Sequence, residues 1–379
     1  MEKRRLRYGM VGGGEGAFIG EVHRKAMELC ETAELVAACF SRDFEKNTIT
    51  ARKYKMQKER VYTDYRQMAS VESRREDKID FVSIVTPNAD HFEIAKAFLD
   101  AGINVVCEKP LCLTREQTEE LKEQAENKKL LFAVTYTYTG YVMVKFAKEL
   151  IERGEIGEIV NINAEYLQEW LLDDLKQQKG SGGKLSVWRK DPQKAGISNC
   201  VGDIGTHIEA TVSYMTGLHP QKVAAALDRY GSALDLNANI LVEFEKGIHG
   251  VFSCSQVCAG HLNDLRIRIF GTDGAIEWIQ EEPERLRVAK KDEPIKIYER
   301  GTSSVTGNAE KISWLPSGHP EGITIAFSNI YRAFFEAIYN KDMPKSQWDF
   351  PDVEEGSYGV RFIEAVVKSD AEGGRWTEL

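Results

Sequence analysis

The sequence lacks the features that mark several broad classes of protein. Basic residues are not in excess, because 50 lysines and arginines stand against 59 acidic residues and the formal net charge is −9. Phosphate recognition needs a basic face, so we expect no nucleic-acid partner. Apolar runs stay shorter than the roughly 18 residues of a membrane-spanning helix, so we expect no membrane partner. The basic start of the chain is not followed by an apolar signal segment, which favours a cytoplasmic location.

Cysteine pairs with the spacing of a metal site are also missing. The seven cysteines form no C-x-x-C pair, and their number is odd. Cys254 and Cys258 lie four residues apart, but no second pair or nearby histidine cluster completes a zinc set. The sequence therefore predicts reduced thiols and no metal site.

The first third of the chain alternates short apolar runs with amphipathic stretches. A chain of 379 residues is too long for one ordinary hydrophobic core, so two domains are expected. Predicted strands lie at 6–11, 34–40, 79–85, 103–107 and 130–135, and predicted helices at 17–30, 43–55, 90–101 and 114–128. This alternation is typical of βαβ units in a parallel sheet that is covered on both faces. It predicts a first domain over residues 1–135.

The pattern changes after residue 135. A helix is predicted at 141–153, a strand at 157–169, a polar loop at 173–197 and a helix from near Asp203. Further strands are predicted at 221–230, 237–245, 248–257, 264–270, 274–280 and 285–289, a loop at 291–320, and helices at 322–340 and 353–370. Long strands joined by turns predict an antiparallel or mixed sheet with one open face. We therefore expect a second α/β domain over residues 136–379, with a large, mostly antiparallel sheet.

A glycine-rich turn joins the first predicted strand to the first predicted helix. Residues 10–20 read Met-Val-Gly-Gly-Gly-Glu-Gly-Ala-Phe-Ile-Gly. Glycines permit positive φ and close backbone approach to a pyrophosphate, and the helix N-terminus contributes N–H groups. The spacing Gly12-x-Gly14-x-x-Ala17 fits the dinucleotide-binding fingerprint of a Rossmann domain. The cofactor contacts predicted from this turn are Gly12, Gly14, Gly16, Ala17, Phe18 and Ile19.

The tip of the second strand bears on the choice between NAD and NADP. An acid at this position commonly binds the adenosine ribose, but the chain reads Phe-Ser-Arg-Asp at 40–43. Ser41 and Arg42 can receive a 2′-phosphate instead, and Asp43 can simply cap the next helix. From these residues alone, both cofactors stay open.

A lysine follows the fourth predicted strand, in the turn Glu-Lys-Pro at 108–110. Ligands of parallel sheets bind at this carboxyl-end edge. Beside a bound nicotinamide, the Lys109 ammonium can hydrogen-bond a substrate oxygen. The alternative is an ordinary solvated loop lysine. The bond before Pro110 is a candidate for the cis form.

A second candidate motif reads Gly-Asp-Ile-Gly-Thr-His at 202–207. Asp203 and His207 are four residues apart, which places them on one face of a helix. Imidazole can carry a proton near neutral pH, so His207 is a candidate general base that Asp203 orients. The alternative is an N-capping aspartate followed by a histidine with a structural function.

Aromatic residues follow the last strand of the first domain and flank the polar loop. Ring faces suit the C–H surfaces of sugar rings, although ordinary packing is the alternative for at least one of the tyrosines. Arg189 can bind a carboxylate or phosphate of the substrate, or pair locally with Asp191. His23, on the first helix, is interpreted as structural. The candidate substrate contacts in these segments are Tyr136, Tyr138, Tyr141, Trp170, Trp188 and Arg189.

Together these motifs resemble the Gfo/Idh/MocA family of oxidoreductases, which includes inositol dehydrogenases and glucose–fructose oxidoreductase. The shared motifs are the glycine turn, Thr-Pro-Asn at 86–88 with His91, Glu-Lys-Pro at 108–110, Trp-Arg at 188–189 and the motif at 202–207. The resemblance implies a Rossmann domain and an α/β domain whose large sheet often forms homodimers or homotetramers. It also implies that Lys109, Asp203 and His207 are the catalytic set. The further cofactor contacts that it implies are Thr86, Pro87, Asn88, His91, Glu108, Lys109 and Pro110.

The chain departs from the family pattern at two places. Its glycine turn is a few residues longer than the common form. Ser-Asn-Cys-Val at 198–201 replaces a glycine pair, which makes Asn199 a candidate for the wall of the substrate pocket. The stretch 12–23 and Tyr-Thr-Gly-Tyr at 138–141 are similar to a subgroup of sugar, levoglucosan and inositol dehydrogenases. Because those relatives tend to use NAD, the resemblance favours NAD over NADP.

The resemblance implies oxidation of a secondary hydroxyl of a sugar or cyclitol to a ketone, with hydride transfer to nicotinamide. In this hypothesis His207 takes the hydroxyl proton with help from Asp203, and Lys109 stabilises the alkoxide. One alternative is a redox-recycling glycosidase or epimerase, in which a keto sugar forms transiently and the cofactor is regenerated. Another is a cofactor-binding regulator without catalysis, since a fold does not determine a function.

Overall fold

The computed structural model describes residues 4–176 and 187–379. The chain divides into two compact units, of which the first contains Met1–Thr135 and Phe327–Ser357. The second contains Tyr136–Ala326 and Tyr358–Leu379. The loop predicted at 173–197 lies partly outside the described residues, at 177–186.

The first unit is built on a five-stranded parallel sheet in the order β2-β1-β3-β4-β5. Its strands are β1 (Leu6–Gly12), β2 (Ala33–Cys39), β3 (Phe81–Val85), β4 (Asn104–Cys107) and β5 (Phe132–Val134). Every residue of β3 is buried, as expected for a parallel strand with both faces covered. Because β1, β3 and β4 are neighbours, the turns that follow them meet at one edge of the sheet. The predicted Rossmann architecture is confirmed.

Helices connect the strands of this sheet. They are α1 (Phe18–Leu29), α2 (Phe44–Lys53), α3 (Tyr65–Glu72), α4 (His91–Asp100) and α5 (Arg115–Lys128). Asp43, Asp64 and Thr114 cap α2, α3 and α5, since each side chain accepts hydrogen bonds from backbone N–H groups of the first turn. Helix α3 has no counterpart among the predicted elements, because its eight residues are too few for a clear helical period.

The second unit contains a nine-stranded sheet in the order β13-β12-β11-β10-β6-β9-β8-β7-β14. Its strands are β6 (Ile159–Leu167), β7 (Pro220–Asp228), β8 (Asn237–Phe244), β9 (His249–Ser255), β10 (Asp264–Gly271), β11 (Gly274–Ile279), β12 (Arg285–Lys290), β13 (Lys296–Glu299) and β14 (Thr377–Glu378). All neighbours are antiparallel except β6 and β9, which are parallel. Buried and exposed residues alternate along β8, so one face of the sheet faces the core, as predicted for a mostly antiparallel sheet.

The helices of the second unit begin with α6 (Val142–Glu152). They continue with α7 (Leu172–Lys176), α8 (Pro192–Ala195), a π-helical turn (Val201–Gly205), α9 (Thr206–Thr216) and α10 (Asn308–Ile312). Strand β13 and helix α10 lie within 291–320, which the sequence predicts as a loop. Both are only four or five residues long, so their periodicity is too short to detect.

The last two helices are α11 (Ile323–Tyr339) and α12 (Val353–Ala371). The sequence assigns both to the second domain, but Phe327–Ser357 belongs to the first unit. The reason is aromatic packing: Phe334 and Phe335 of α11 lie 5.5 and 5.4 Å from the ring of Phe81 in β3. Burial of these rings against the parallel sheet decides the assignment.

Candidate active site

The glycine turn brings the end of β1 directly against the start of α1. Gly12 and Gly13 have φ angles of +86° and +71°, in the region that favours glycine. A Cβ atom at Gly20 would overlap the Cα atom of Gly13, so glycine is needed for this close approach. The turn therefore presents backbone, rather than side chains, at the carboxyl edge of the sheet.

The same edge offers polar groups that suit a dinucleotide. Ala17, the residue before α1, provides no side-chain cap, so the first N–H groups of the helix can face a phosphate. The hydroxyl Oγ1 of Thr86 is buried and has no hydrogen-bond partner among the described residues. The Cγ2 atom of Thr86 lies 2.9 Å from the position of a Cβ atom at Gly12. A buried hydroxyl without a partner beside the glycine turn fits a bound cofactor that would satisfy it.

The polar side chains that follow β2 form hydrogen bonds and ion pairs within the protein. Ser41 Oγ accepts a hydrogen bond of 3.1 Å from the backbone N–H of Asp43, and Asp43 caps α2. The Nη2 atom of exposed Arg42 lies 2.9 Å from both carboxylate oxygens of Asp90. A 2′-phosphate would compete with Asp90 for this guanidinium, so the arrangement favours NAD.

His91 ties together the two turns that follow β3 and β4. Its Nδ1 lies 3.0 Å from the carbonyl oxygen of Pro110, and its Nε2 lies 3.0 Å from that of Thr86. Burial lowers the pKa of His91, against the opposite effect of the two carbonyls. His91, a predicted cofactor contact, therefore also links the two turns. The Lys109–Pro110 peptide bond is cis.

Glu108 and Lys109 follow β4 at the same edge. Glu108 is buried, and its Oε2 accepts a hydrogen bond of 3.1 Å from the backbone N–H of Lys109. Its Oε1 accepts a hydrogen bond of 2.8 Å from Thr135 Oγ1 and lies 2.7 Å from Nε2 of His23. His23, interpreted as structural from the sequence, therefore contacts the turn that carries the candidate catalytic lysine.

In the second unit, Asp203 lies in the π-helical turn that precedes α9. A π-helix closes its hydrogen bonds over five residues, so the regular helical spacing predicted from Asp203 to His207 is altered locally. Such turns are frequent at functional sites. Asp203 Oδ2 accepts a hydrogen bond of 3.0 Å from Gln256 Nε2. Arg189 Nε lies 3.4 Å from Oδ1, so Arg189 pairs with Asp203 rather than with Asp191.

The segment before this turn is anchored by Asp235, a buried residue that carries no signal in the sequence. Its Oδ1 accepts a hydrogen bond from the backbone N–H of Asn199, and its Oδ2 accepts one from Val201, both at 2.9 Å. Asn199 Nδ2 donates to Gln256 Oε1 at 2.7 Å. The predicted pocket residue Asn199 thus orients Gln256, which in turn orients Asp203.

Tyrosines surround the ring of His207, which is 8% exposed. The ring centroid of Tyr138 lies 4.7 Å away, and those of Tyr136 and Tyr166 lie 6.2 Å away. The hydroxyls of Tyr138 and Tyr166 contact each other, and both bond to the side chain of Asn263. Burial raises the pKa of Tyr138 to about 12, so its hydroxyl stays neutral. The imidazole therefore lies among three tyrosine rings, and the hydroxyls of Tyr138 and Tyr166 are held in place.

The other predicted pocket residues have different surroundings. Tyr141 packs against Trp278 at 5.4 Å in the hydrophobic core, which favours the packing alternative for this tyrosine. Trp170 is 40% exposed, and its Nε1 donates to Gln168 Oε1 at 2.9 Å. Trp188 lies under the Arg189 guanidinium at 4.7 Å. Arg189 is thus brought to Asp203, with Trp188 packed against its guanidinium.

Sequence reasoning missed several members of this cluster. They are Tyr166, Asp235, Gln256 and Asn263. None belongs to a motif, and each lies far along the chain from the turn at 202–207. Tyr166 shows one usable signal, because it falls on an inward-facing position of β6.

Within residues 4–176 and 187–379, no group of three or more His, Cys, Asp or Glu side chains could hold a metal ion. None of the described helices is long and apolar enough to cross a membrane. The seven cysteines are free.

Comparison with protein families gives a match in each unit. Residues 6–136 match the model described as an oxidoreductase family with an NAD-binding Rossmann fold. Residues 144–277 match the GFO/IDH/MocA C-terminal domain. The uncharacterized oxidoreductase YfiI of Bacillus subtilis (strain 168) is 34% identical over 99% of this chain and 97% of its own length.

Solved structures resemble the chain over nearly its full length. An inositol dehydrogenase homolog from Azotobacter vinelandii, complexed with NAD+, has a TM-score of 0.93 and 33% identity, covering 99% of this chain and 98% of that chain. An inositol dehydrogenase homolog from the same organism, complexed with NADH and myo-inositol, has a TM-score of 0.91 and 32% identity, with the same coverage. A levoglucosan dehydrogenase from Pseudarthrobacter phenanthrenivorans is 29% identical over 56% of this chain and 58% of its own length.

Proposed function

The chain belongs to the GFO/IDH/MocA family of oxidoreductases, and on that premise we propose that it is an NAD-dependent dehydrogenase of a sugar or cyclitol. Its reaction converts a secondary hydroxyl into a ketone. The observation that carries the proposal is the arrangement of the second unit, where the Asp203 carboxylate is bound on both oxygens beside a helix that carries the buried His207 imidazole. Relatives named for inositol and levoglucosan support a polyhydroxylated ring as substrate.

NAD is the proposed cofactor, and bound NAD supplies the hydride acceptor. The glycine turn and the N-terminus of α1 would hold its pyrophosphate, since both present backbone N–H groups. The buried hydroxyl of Thr86 would form its hydrogen bond with the same ligand. The pairing of Arg42 with Asp90 supports NAD over NADP. The other proposed contacts are Ala17, Phe18, Ile19, Ser41, Pro87, Asn88, His91, Glu108, Lys109 and Pro110.

His207 is proposed to accept the hydroxyl proton of the substrate. Gln256 and Arg189 fix the orientation of the Asp203 carboxylate. Asp203 can therefore orient the substrate hydroxyl or the His207 imidazole. Lys109 donates a hydrogen bond from its ammonium to the same substrate oxygen while negative charge develops there. The proton of the alcohol thus moves to His207, and the oxidation that leaves a ketone would use the hydride acceptor that NAD supplies when bound.

The tyrosine cluster is proposed to recognise the ring of the substrate. Tyr136 and Tyr138 offer ring faces for the C–H groups of the substrate. Asn263 holds the hydroxyls of Tyr138 and Tyr166, which lowers the entropic cost of ordering them on binding. Trp188 and Arg189 complete the proposed contacts near Asp203.

A panel of cyclitols, sugars and sugar derivatives, run with NAD and with NADP, tests this function. Reduced cofactor is followed by its absorbance at about 340 nm, and substrate loss by chromatography. We expect net NADH with at least one ring polyol. Substrate loss without net NADH would instead identify a redox-recycling enzyme. Cofactor binding with neither signal across the panel would overturn the proposal.

We propose that the protein is cytoplasmic and forms a homodimer or homotetramer. The free cysteines support a reducing compartment. Assembly is supported by the outer face of the large sheet, where Leu241 and Val251 pair across β8 and β9 and are 51% and 42% exposed. Adjacent exposed apolar residues on a sheet face favour contact with a second copy.

A further inference from the structure

A buried chain of hydrogen bonds runs through the first unit from β3 to the lysine turn. Ser83 Oγ lies 3.0 Å from Tyr331 Oη, and Tyr331 Oη lies 2.6 Å from His23 Nδ1. The opposite ring nitrogen of His23, Nε2, lies 2.7 Å from Glu108 Oε1. Ser83, His23 and Tyr331 are fully buried, and Glu108 is 8% exposed. The hydrogen bonds thus link four segments that are distant in sequence, and the series ends at the Glu108 carboxylate.

Both oxygens of that carboxylate are engaged. Besides His23, Oε1 accepts a hydrogen bond from Thr135, while Oε2 accepts the backbone N–H of Lys109. Burial alone would raise the pKa of Glu108, but the hydrogen bond and charge of His23, with Lys109 and Thr135, lower it to about 2. Glu108 therefore carries its negative charge at neutral pH, next to the lysine.

We propose that His23 is a positioning residue for Lys109, an inference that rests on the proposed function of that lysine. His23 holds Glu108 in the orientation that binds the Lys109 backbone. Glu108 then keeps a negative charge beside the lysine ammonium, so that the ammonium can face the substrate oxygen. Tyr331 hydrogen-bonds the Nδ1 atom of His23, and Ser83 in turn hydrogen-bonds Tyr331, so the imidazole ring is fixed.

Histidine suits this position for a chemical reason. It carries two polar atoms on opposite edges of a rigid ring, so it can bridge a carboxylate and a phenol. In one direction Ser83 donates to Tyr331, Tyr331 donates to His23 Nδ1, and His23 Nε2–H donates to Glu108. In the other, a charged imidazole donates at both nitrogens, and Tyr331 donates to Ser83. In the first direction every hydroxyl and ring proton of this chain of hydrogen bonds has an acceptor within it.

Packing holds the ring in place but does not explain its polar contacts. Phe327 of α11 lies 4.6 Å from the ring of His23. A purely structural residue at this position could be an aromatic hydrocarbon, which would avoid burying polar atoms. The titratable groups that interact with Glu108 or Tyr331 from neighbouring elements are Tyr8, Cys30, His91, Cys107 and Lys109.

Titration of the Glu108 carboxyl in the cofactor-free protein tests the proposal. Carboxyl carbons are labelled with 13C, and the Glu108 signal is assigned by its loss in Glu108→Gln. We expect His23→Leu to raise the titration midpoint of Glu108 by about one pH unit or more, since a buried carboxylate loses its main partner. Tyr331→Phe should raise it less. Because no substrate is present, this readout stands apart from the proposed dehydrogenase activity.

Kinetics provide the second readout. We expect His23→Leu to lower kcat about tenfold or more, and His23→Gln, which keeps a donor toward Glu108, to recover part of the loss. The double variant His23→Leu/Glu108→Gln should be no slower than Glu108→Gln, because both changes act through one carboxylate.

Phe327→Leu is the matched control, since Phe327 touches the same ring by packing alone. It should lower the melting temperature without moving the Glu108 titration. An unchanged Glu108 midpoint in His23→Leu would overturn the proposal. Independent, additive losses of kcat in the double variant would overturn it as well.

Discussion

Gln256 Nε2 donates a hydrogen bond of 3.0 Å to Oδ2 of Asp203, across 53 residues of sequence. We expect Gln256→Leu to lower kcat about tenfold, because a hydrogen bond to a charged group contributes about 1.5–3 kcal/mol. Steady-state kinetics on the substrate found in the panel measure this change. Gln221→Leu is the control, since Gln221 is exposed and its side chain bonds to His219 and Glu245 in the same unit. A kcat of Gln256→Leu within twofold of the wild type would contradict the assignment of Asp203.

Lys109→Ala should lower kcat by about 100- to 1000-fold, the usual effect of removing one donor to a developing oxyanion. The binding of NADH, followed by fluorescence, should be retained. Lys128→Ala provides the control, because Lys128 lies on α5 and bonds to Asp100 away from the turn. If turnover is unchanged while NADH still binds, Lys109 has no central role.

Glu209 links stability to pH in the second unit. Burial raises the pKa of Glu209 to about 8, from an ordinary value of 4.5. Between these two values the unfolded chain is ionised at this residue and the folded chain is not. The free energy of unfolding therefore falls as pH rises from 4.5 to 8.

Glu209→Gln should remove this pH dependence. Compared with the wild type, the variant should gain up to about 4 kcal/mol between pH 4.5 and pH 8. Urea unfolding at several pH values measures the difference, and Glu372→Gln, at an exposed position, should track the wild type. If the free energy of unfolding depends on pH in the same way in Glu209→Gln and in the wild type, then Glu209 is ionised in the folded protein.

Arg42 and Asp90 are expected to set the cofactor preference. Removing the carboxylate in Asp90→Ala frees the guanidinium for a 2′-phosphate, so the KM for NADP should fall about tenfold. The KM for NAD should change little, since NAD has no phosphate at that position. Asp100→Ala, at the end of the helix that follows Asp90, is the control. Equal changes in both KM values would show that Arg42 does not contact the adenosine ribose.

The outer face of the large sheet is expected to hold the oligomer together. A charge in the centre of an apolar contact is strongly unfavourable, so Leu241→Glu should reduce the mass seen by light scattering to that of one chain. Leu262→Glu is the control, because Leu262 is 74% exposed and lies outside the strands. An unchanged oligomer in Leu241→Glu would place the contact elsewhere.

Much of the fold followed from local patterns in the sequence. The five strands of the first unit and its glycine turn are predicted by apolar runs and residue spacing, which depend only on neighbours in the chain. The same holds for Lys109 and for the motif with Asp203 and His207. These residues stand directly after strands or within a short helical segment, where local sequence determines the backbone.

Only the tertiary structure decided which side chains hold these residues in place. Gln256 reaches Asp203 because Asp235 anchors the segment before the π-helical turn, while the Gln256 N–H donates to the carbonyl of the neighbouring Leu236, contacts that no local pattern encodes. His23 of α1 contacts Glu108 after β4 only in the folded sheet, and Phe327–Ser357 joins the first unit, where aromatic residues of α11 pack on Phe81 of β3. Motif residues are therefore predictable from spacing, whereas their partners depend on contacts between segments that meet only when the chain folds.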